Sequence, residues 1–326
     1  MNADTAGTCR RFRTGPAGIA ILLAAAALGP LAARASAAVE RAGVSTGGAT
    51  AVSYGSATLE GSVNPRGSDT SYYFQYGPTS AYGGQTTIAD AGAGTHTVDV
   101  SLPITGLQPL TEYHYRLVAV NGAGAASGAD RTLLTTKVPL TLEILSSPDP
   151  VLFGGTAIIQ GTLSGTENGD REVVLQATAF PFSAAFQDVG NPELTTATGG
   201  FQFPLLGLSV TTEFRVVTTT SPPVLSPVAL ENVAVNVVAH LGRARRAHFV
   251  RIYGTVTPAE EGAQIGILRT VHGRGVLVGG TTLRPGTAGS SSFSVQVRAR
   301  RGVYRVLALV RNSAQVSNYS QPVFIR

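Results

Sequence analysis

Apolar and polar residues alternate along most of this chain. In Thr70 to Tyr76, a strand of period two puts Tyr72, Phe74 and Tyr76 on one face and Tyr73 and Gln75 on the other. The first set is the more apolar, so it is expected to face a core. Ala57 to Val63 alternates in the same way, and Asn64-Pro65-Arg66-Gly67-Ser68-Asp69 then supplies a turn, with Pro and Gly where a fixed or positive φ is useful. Residues 38 to 56, rich in Gly, Ala, Ser and Thr, read as a lead-in and a first edge strand. Past the Gly83-Gly84 turn, short strands are expected around Gln85 to Ala89 and His96 to Leu102. In the stretch Gly106 to Asn121, alternation sends Tyr113, Tyr115, Leu117 and Ala119 inward and His114, Arg116, Val118 and Val120 outward.

The centre of that stretch returns twice. Tyr115-Arg116-Leu117-Val118-Ala119 reappears as Phe214-Arg215-Val216-Val217-Thr218 and as Tyr304-Arg305-Val306-Leu307-Ala308, at intervals of 99 and 90 residues. Gly161-Thr162-Leu163 matches Gly254-Thr255-Val256, Val189-Gly190 matches Val278-Gly279, and Phe201-x-Phe203 matches Phe293-x-Val295. Self-similarity at the length of one small sandwich predicts tandem domains. The fold class expected is therefore all-β: three tandem immunoglobulin-like or fibronectin type III β-sandwiches over residues 41–136, 138–236 and 237–326, with a linker at Thr135 to Pro139.

The motif Leu107-x-Pro109-x-Thr111-x-Tyr113-x-Tyr115-Arg116-x-x-Ala119-x-Asn121, with Gly61 to Gly67 and Tyr72-x-Phe74-x-Tyr76-Gly77 before it, resembles a fibronectin type III domain of the kind found in secreted bacterial proteins. The resemblance covers about residues 41 to 136. It implies that Tyr113 forms a structural tyrosine corner, its hydroxyl meeting backbone a few residues upstream. The tryptophan usual on an early strand is missing, with Gly61 and Val63 there instead and Tyr72 and Phe74 available to fill its volume. The two later domains resemble generic bacterial immunoglobulin-like sandwiches.

Residues 1 to 37 carry the marks of a signal peptide: basic Arg10, Arg11 and Arg13, apolar Ala17 to Leu28, a break at Gly29-Pro30, and small residues at Ala35-Ser36-Ala37. Cleavage after Ala37 is expected, with retention as an anchor the alternative. The protein is therefore expected to be secreted or held at the cell surface. The one cysteine, Cys9, lies in this leader, which excludes disulfides and thiol chemistry from the rest of the chain. The net charge of +5 conceals a division: +3 in the leader, −9 over residues 38–236 and +11 over residues 237–326.

No motif for nucleophilic, metal or nucleotide chemistry is present, so an enzyme is not expected, and no cofactor or metal. The five histidines are scattered. Glu260-Glu261 reads as a solvated turn rather than a carboxylate pair across a cleft. Asp149 and Asp170 lie near loops and form only a weak case for calcium. Phe180-Pro181-Phe182 with Phe186 is expected to fold inward, the alternative being an exposed patch for a partner, and Tyr73 and Tyr82 offer faces for sugar rings.

Arginine gives the clearest chemical signal. Val295, Val297 and Ala299 alternate with Gln296, Arg298 and Arg300, which sends two guanidinium groups to one solvent face beside Arg301. Arg305 and Arg311 follow, and Arg243, Arg245 and Arg246 lie in the entry segment. Guanidinium forks suit carboxylate, sulfate and phosphate, so these residues form a candidate anion-binding site. The alternative is composition, arginine standing in for lysine, since Lys137 is the only lysine. The expected partner is an anionic cell-wall polymer or polysaccharide, or a protein. Nucleic acid is the weaker match outside the cell, and membrane contact is expected only through an uncleaved leader. These readings describe a non-enzymatic surface binding or spacer module, or the carbohydrate- or wall-binding accessory part of an extracellular hydrolase system.

Overall fold

The computed structural model describes residues 38–312 and 314–326, and the expected leader lies outside the described residues. Among the described residues every regular element is a strand. Three separate cores follow one another along the chain, the first within residues 42–133, the second within 142–233 and the third within 235–325. The protein is all-β, a row of three immunoglobulin-like sandwiches.

In the first sandwich, strands Gly43–Thr50, Ser56–Asn64 and Val98–Thr105 form an antiparallel sheet in that order. It faces a sheet centred on Thr70–Gly77 and Glu112–Asn121. The register pairs Tyr72 with Ala119, Phe74 with Leu117 and Tyr76 with Tyr115, which aligns the apolar sets of both strands on one face. The strand expected from Gln85 is split into Gly84–Gln85 and Ala89–Gly92, and the one expected from His96 begins at Val98. Val118 departs from the expected pattern: it is 5% exposed although it lies on the outer face. It sits opposite Tyr73 on one side and Ser127 on the other, so a short side chain is shielded in mid-sheet by its neighbours.

The missing tryptophan has a steric reason. A Cβ on Gly61 would stand 2.7 Å from Leu117 Cδ2 of the opposing sheet, so this position has no room for a side chain. Its counterparts keep the same economy. A Cβ on Gly161 would stand 2.5 Å from the ring of Phe201, and one on Gly254 would stand 3.0 Å from that of Phe293.

The second sandwich packs Thr141–Ser147, Gly155–Ser164 and Gly200–Leu208 against a sheet centred on Glu172–Ala179 and Thr212–Thr218. The third packs Asn236–Arg243, Phe249–Thr257, Ser291–Arg298 and Arg284–Pro285 against Arg274–Thr282, Gln264–Val271 and Gly302–Leu309. The last strand, Val323–Ile325, closes that sheet by pairing with Gly302 to Tyr304.

The passage between the second and third sandwiches is a shared strand. Val233 belongs to the second core and Val235 to the third, so the third sandwich starts slightly before residue 237. Ala234 pairs with Leu152 on one side and bridges to Val316 on the other. Thr211 N donates to Ala314 O at 2.7 Å, and Gln315 Nε2 to Ser209 O at 2.9 Å. The passage from the first sandwich is tied to the second by Val138 N to Thr166 Oγ1 at 2.9 Å and by the Lys137–Glu167 ion pair at 2.7 Å.

Tyr113 lies where the chain crosses between the two sheets. Its hydroxyl accepts from Gln108 N at 3.0 Å, five residues upstream, while its ring is buried. The third sandwich solves the same problem from a different position, with Tyr304 Oη donating to Arg300 O at 2.7 Å. Replacement of Tyr113 by Phe keeps the ring and strands the Gln108 amide. The first sandwich should lose about 1 kcal/mol, read as a shift in its unfolding transition by calorimetry; an unchanged transition would show that the hydroxyl is not holding the corner.

Glu231 is the one fully buried carboxylate among the described residues. Ser146 Oγ donates to it, and Val151 N donates to it at 3.1 Å. Burial pushes its pKa up, with the nearby Asp149 adding to the shift and the two hydrogen bonds opposing it. A raised folded pKa favours the protonated carboxyl in the folded state. The corresponding stability is fully present below about pH 4.3 and is lost as pH rises through the folded pKa. Glu231→Gln should therefore melt higher than the parent chain at neutral pH, and the gap should close as pH falls. A gap that widens toward acid would contradict this account.

Candidate functional site

The six expected arginines collect at one end of the third sandwich, the end away from the second. Residues 244–248 turn the chain from Asn236–Arg243 into Phe249–Thr257, with His248 at a positive φ of 61°. Ala299 N then donates to His248 O at 2.9 Å, which fastens the exit of Ser291–Arg298 beside that turn. Arg243, Arg245 and Arg246 are thereby brought next to Arg298, Arg300 and Arg301, and all six are exposed.

The detail differs from the alternation expected there. The strand ends at Arg298, and Ala299 is exposed rather than inward, because its amide is diverted to His248. Arg300 and Arg301 accordingly belong to the corner between sheets and not to the face that carries Arg298. Arg243 stands opposite Val250 whereas Arg298 stands opposite Phe249, so these two point to opposite sides of their sheet at its rim. Arg311 lies at the other end, next to Asn312 and the second sandwich.

Other arginines join the end from strands that the linear order does not bring together. Arg269 Nη2 donates to Arg301 O at 3.0 Å, and its Nε is buried without a hydrogen-bond partner. Arg274 closes the neighbouring hairpin opposite Val271, and Arg326 follows Ile325, which pairs with Gly302.

The two acidic residues of this sandwich, Glu260 and Glu261, sit at the opposite end. Glu260 is not simply a solvated turn residue: its carboxylate accepts from Asn312 Nδ2 at 2.7 Å and its amide donates to Ser291 Oγ at 2.9 Å. Among the described residues, all four ion pairs lie in the first two sandwiches. Charge is therefore segregated along the third sandwich, with both acidic residues toward the junction and most of its arginines at the free end, Arg284 and Arg311 being exceptions.

One face of the Asn236–Arg243, Phe249–Thr257 and Ser291–Arg298 sheet continues the basic surface. The register sets Arg298 opposite Phe249, Gln296 opposite Arg251, and Ser294 opposite Tyr253, with Gly242 and His240 on the far side of the last two rows. Arg284 stands opposite Ser292 on the same face. Arg246 stacks on Phe249 at 4.6 Å and Arg251 on Tyr253 at 4.3 Å, so two of the guanidinium groups are positioned by rings. Arg251, Arg284 and Tyr253 were not singled out by the sequence reading. The available signal was buried Ile252, which sends its neighbours Arg251 and Tyr253 to the outer face.

The remaining candidates resolve into structural roles. In the first sandwich Arg116 donates to Gln75 Oε1 at 2.9 Å and lies 4.7 Å from the Tyr82 ring. In the second, Arg215 donates to Gln176 Oε1 at 2.9 Å and lies 4.3 Å from the Phe186 ring. The aromatic-arginine repeat thus holds down one connecting loop in each. Phe180, Phe182 and Phe186 are half-buried and none enters the second core, contrary to the inward packing expected for them. Phe186 lies under Arg215, while Phe180 and Phe182 meet edge to face at 5.6 Å.

Tyr82 Oη also donates to Asp130 at 2.9 Å, and His114 Nδ1 lies 2.8 Å from the same carboxylate. The hydrogen bond with His114 holds the Asp130 pKa below the usual carboxylate range, with lesser help from Tyr82 and Arg116. This pair ends on a tyrosine and fastens the same loop. Asp149 accepts from Asn232 beside the passage into the third sandwich, whereas Asp170 lies beside Thr195 at the opposite end of the second. Among the described residues no three potential metal ligands come together.

No family model matches the chain. No curated protein matches it. Among solved structures it is similar to the FN1–FN3 domains of chicken CNTN1, at 16% identity and a TM-score of 0.29, over 86% of this chain and 98% of that one. It is similar to a tetra-tandem repeat in the extending region of a large adhesion protein, at 16% identity and a TM-score of 0.28, over 87% of this chain and 74% of that one. It is also similar to the sensor domain of the anti-sigma factor RsgI4 in Pseudobacteroides cellulosolvens, at 18% identity and a TM-score of 0.21, over 29% of this chain and 89% of that one.

Proposed function

We propose that this chain is a secreted, non-enzymatic binding and spacer module whose ligand is an anionic cell-wall polymer or polysaccharide, held by the arginine-rich free end of the third sandwich. The observation that carries the reading is the segregation of charge. Arginines added only for solubility have no reason to gather at one end while both glutamates stay at the other. A concentrated field of one sign draws a polyanion and orients its approach. Guanidinium groups without carboxylate partners keep their forks available for the ligand.

The first two sandwiches fit the spacer role. Four of their six arginines are engaged by other side chains, Arg66 and Arg171 in ion pairs and Arg116 and Arg215 by a glutamine and an aromatic ring, and the shared strand at Ala234 fixes the third sandwich to the second. A binding end is thus held away from the start of the chain.

The test is binding of the full chain to a panel of polyanions across a salt series. The affinity of the best ligand should fall steeply between low and high salt, as expected where charge neutralisation releases counterions. The triple variant Arg298→Glu, Arg300→Glu and Arg301→Glu should bind at least about tenfold more weakly, equivalent to about 1.4 kcal/mol, with an unchanged circular dichroism spectrum. Equal binding by parent and variant would remove the free end as the site.

A further inference from the structure

Resting on that reading, we infer that the outer face of the third sandwich holds a subsite for a sugar ring bearing a carboxylate or sulfate, centred on Tyr253. A shallow concavity of about 340 Å³ lies there, lined by His240, Arg251, Tyr253, Thr255, Ser292 and Ser294. It adjoins the arginine-rich end, because Arg251 is one row along the strand from Phe249 and Arg298.

The chemistry of this lining is more selective than that of the end itself. Arg251 lies 4.3 Å from the centre of the Tyr253 ring, so the aromatic face fixes where the guanidinium presents its N–H groups. His240 stands across the strand from Tyr253, its ring 5.7 Å away and tilted by 40°. Ser292, Ser294 and Thr255 add hydroxyls, which both donate and accept. A polyphosphate chain offers acceptors alone and has no use for hydroxyl acceptors or an aromatic wall. An acidic sugar offers an anionic group to Arg251, hydroxyls to the serines and threonine, and C–H surface for apolar contact with the tyrosine ring.

The fold leaves room for this arrangement. Gly242 faces Arg251 across the strand pair, and a Cβ there would come within 3.0 Å of Tyr253 Cε1 and 3.5 Å of Arg251 Nε. The glycine lets ring and guanidinium lie down on the sheet.

The experiment compares the full chain with Tyr253→Ala and, separately, Ser294→Val, a strand-compatible change at an exposed position. The probes are polygalacturonate, dextran sulfate, inorganic polyphosphate and neutral dextran. Each variant should lose about tenfold or more in affinity for at least one of the two acidic polysaccharides, and less than twofold for polyphosphate; which of the two responds tells carboxylate from sulfate. The arginine triple variant should weaken all three polyanions. If both variants weaken polyphosphate as much as the polysaccharides, or neither changes any affinity, the subsite is wrong while the arginine-rich end stands. If the parent chain binds polyphosphate but neither acidic polysaccharide, the subsite is again wrong. If it binds no polyanion, the reading beneath it falls too.

Discussion

Each sandwich depends on a glycine that lets a large core side chain lie against the backbone of the opposite or adjacent strand. Without cysteine in residues 38–326 no disulfide joins the two sheets, which are held by packing and a few hydrogen bonds such as Leu117 N to Thr46 Oγ1 at 3.1 Å, and the close contact of Leu117 with Gly61, Phe201 with Gly161 and Phe293 with Gly254 occurs at the same place in each repeat. A side chain at the glycine would push the core residue outward and open the space behind it. In all three the carbonyl of the first strand (Ser45, Glu143 or Val238) also closes on the glycine, while the core side chain comes from the facing sheet in the first sandwich and from the paired neighbour strand in the other two. This explains how the same Gly-Ser/Thr-Val/Leu signature persists while the aromatic residues around it change.

That core also determines how much of the fold could be read from the chain. Alternation located Tyr72, Phe74, Tyr115 and Leu117 on the core face because a buried face forbids a one-residue slip. The resemblance of the Leu107 to Asn121 motif to a fibronectin type III domain implied a tyrosine corner at Tyr113, whose hydroxyl contact the structure contains. What alternation does not carry is the point at which a strand stops. Ala299 continues the apolar series in sequence, yet its amide bonds to His248, a residue 51 positions earlier, and the series ends there. Val118 shows the same limit for burial, since its shielding depends on Tyr73 and Ser127 across two strand pairings.

The candidate site was legible in its composition and only partly in its membership. Clustering of Arg243, Arg245, Arg246, Arg298, Arg300 and Arg301 follows from two turns that the fold places side by side. Arg269 reaches the same end by pairing with Tyr304, and Arg326 by following Ile325, which pairs with Gly302, at separations that local reading does not span. Arg311 lies close to Arg305 in sequence but falls at the far end, because Arg305 is within the strand Gly302–Leu309 whereas Arg311 lies beyond its junction-side end.

The repeated aromatic-arginine motif shows how a structural device is released for another use. In the first two sandwiches the arginine is held by a glutamine and a ring, and the loop it fastens carries Tyr82 or Phe186. In the third, the corresponding glutamine position is occupied by Leu268, opposite Arg305, and no ring is stacked on that arginine among the described residues. The hairpin that replaces the loop, Gln264–Val271 joined to Arg274–Thr282, is continuous and closed by the tight His272-Gly273 turn, so it needs no such fastening. Once the loop is self-supporting, the arginine contributes only charge. Arginines elsewhere on this sandwich then add to the same field without acidic partners to cancel it, and it is the loss of a structural obligation, more than the count of arginines, that distinguishes the third sandwich from the two before it.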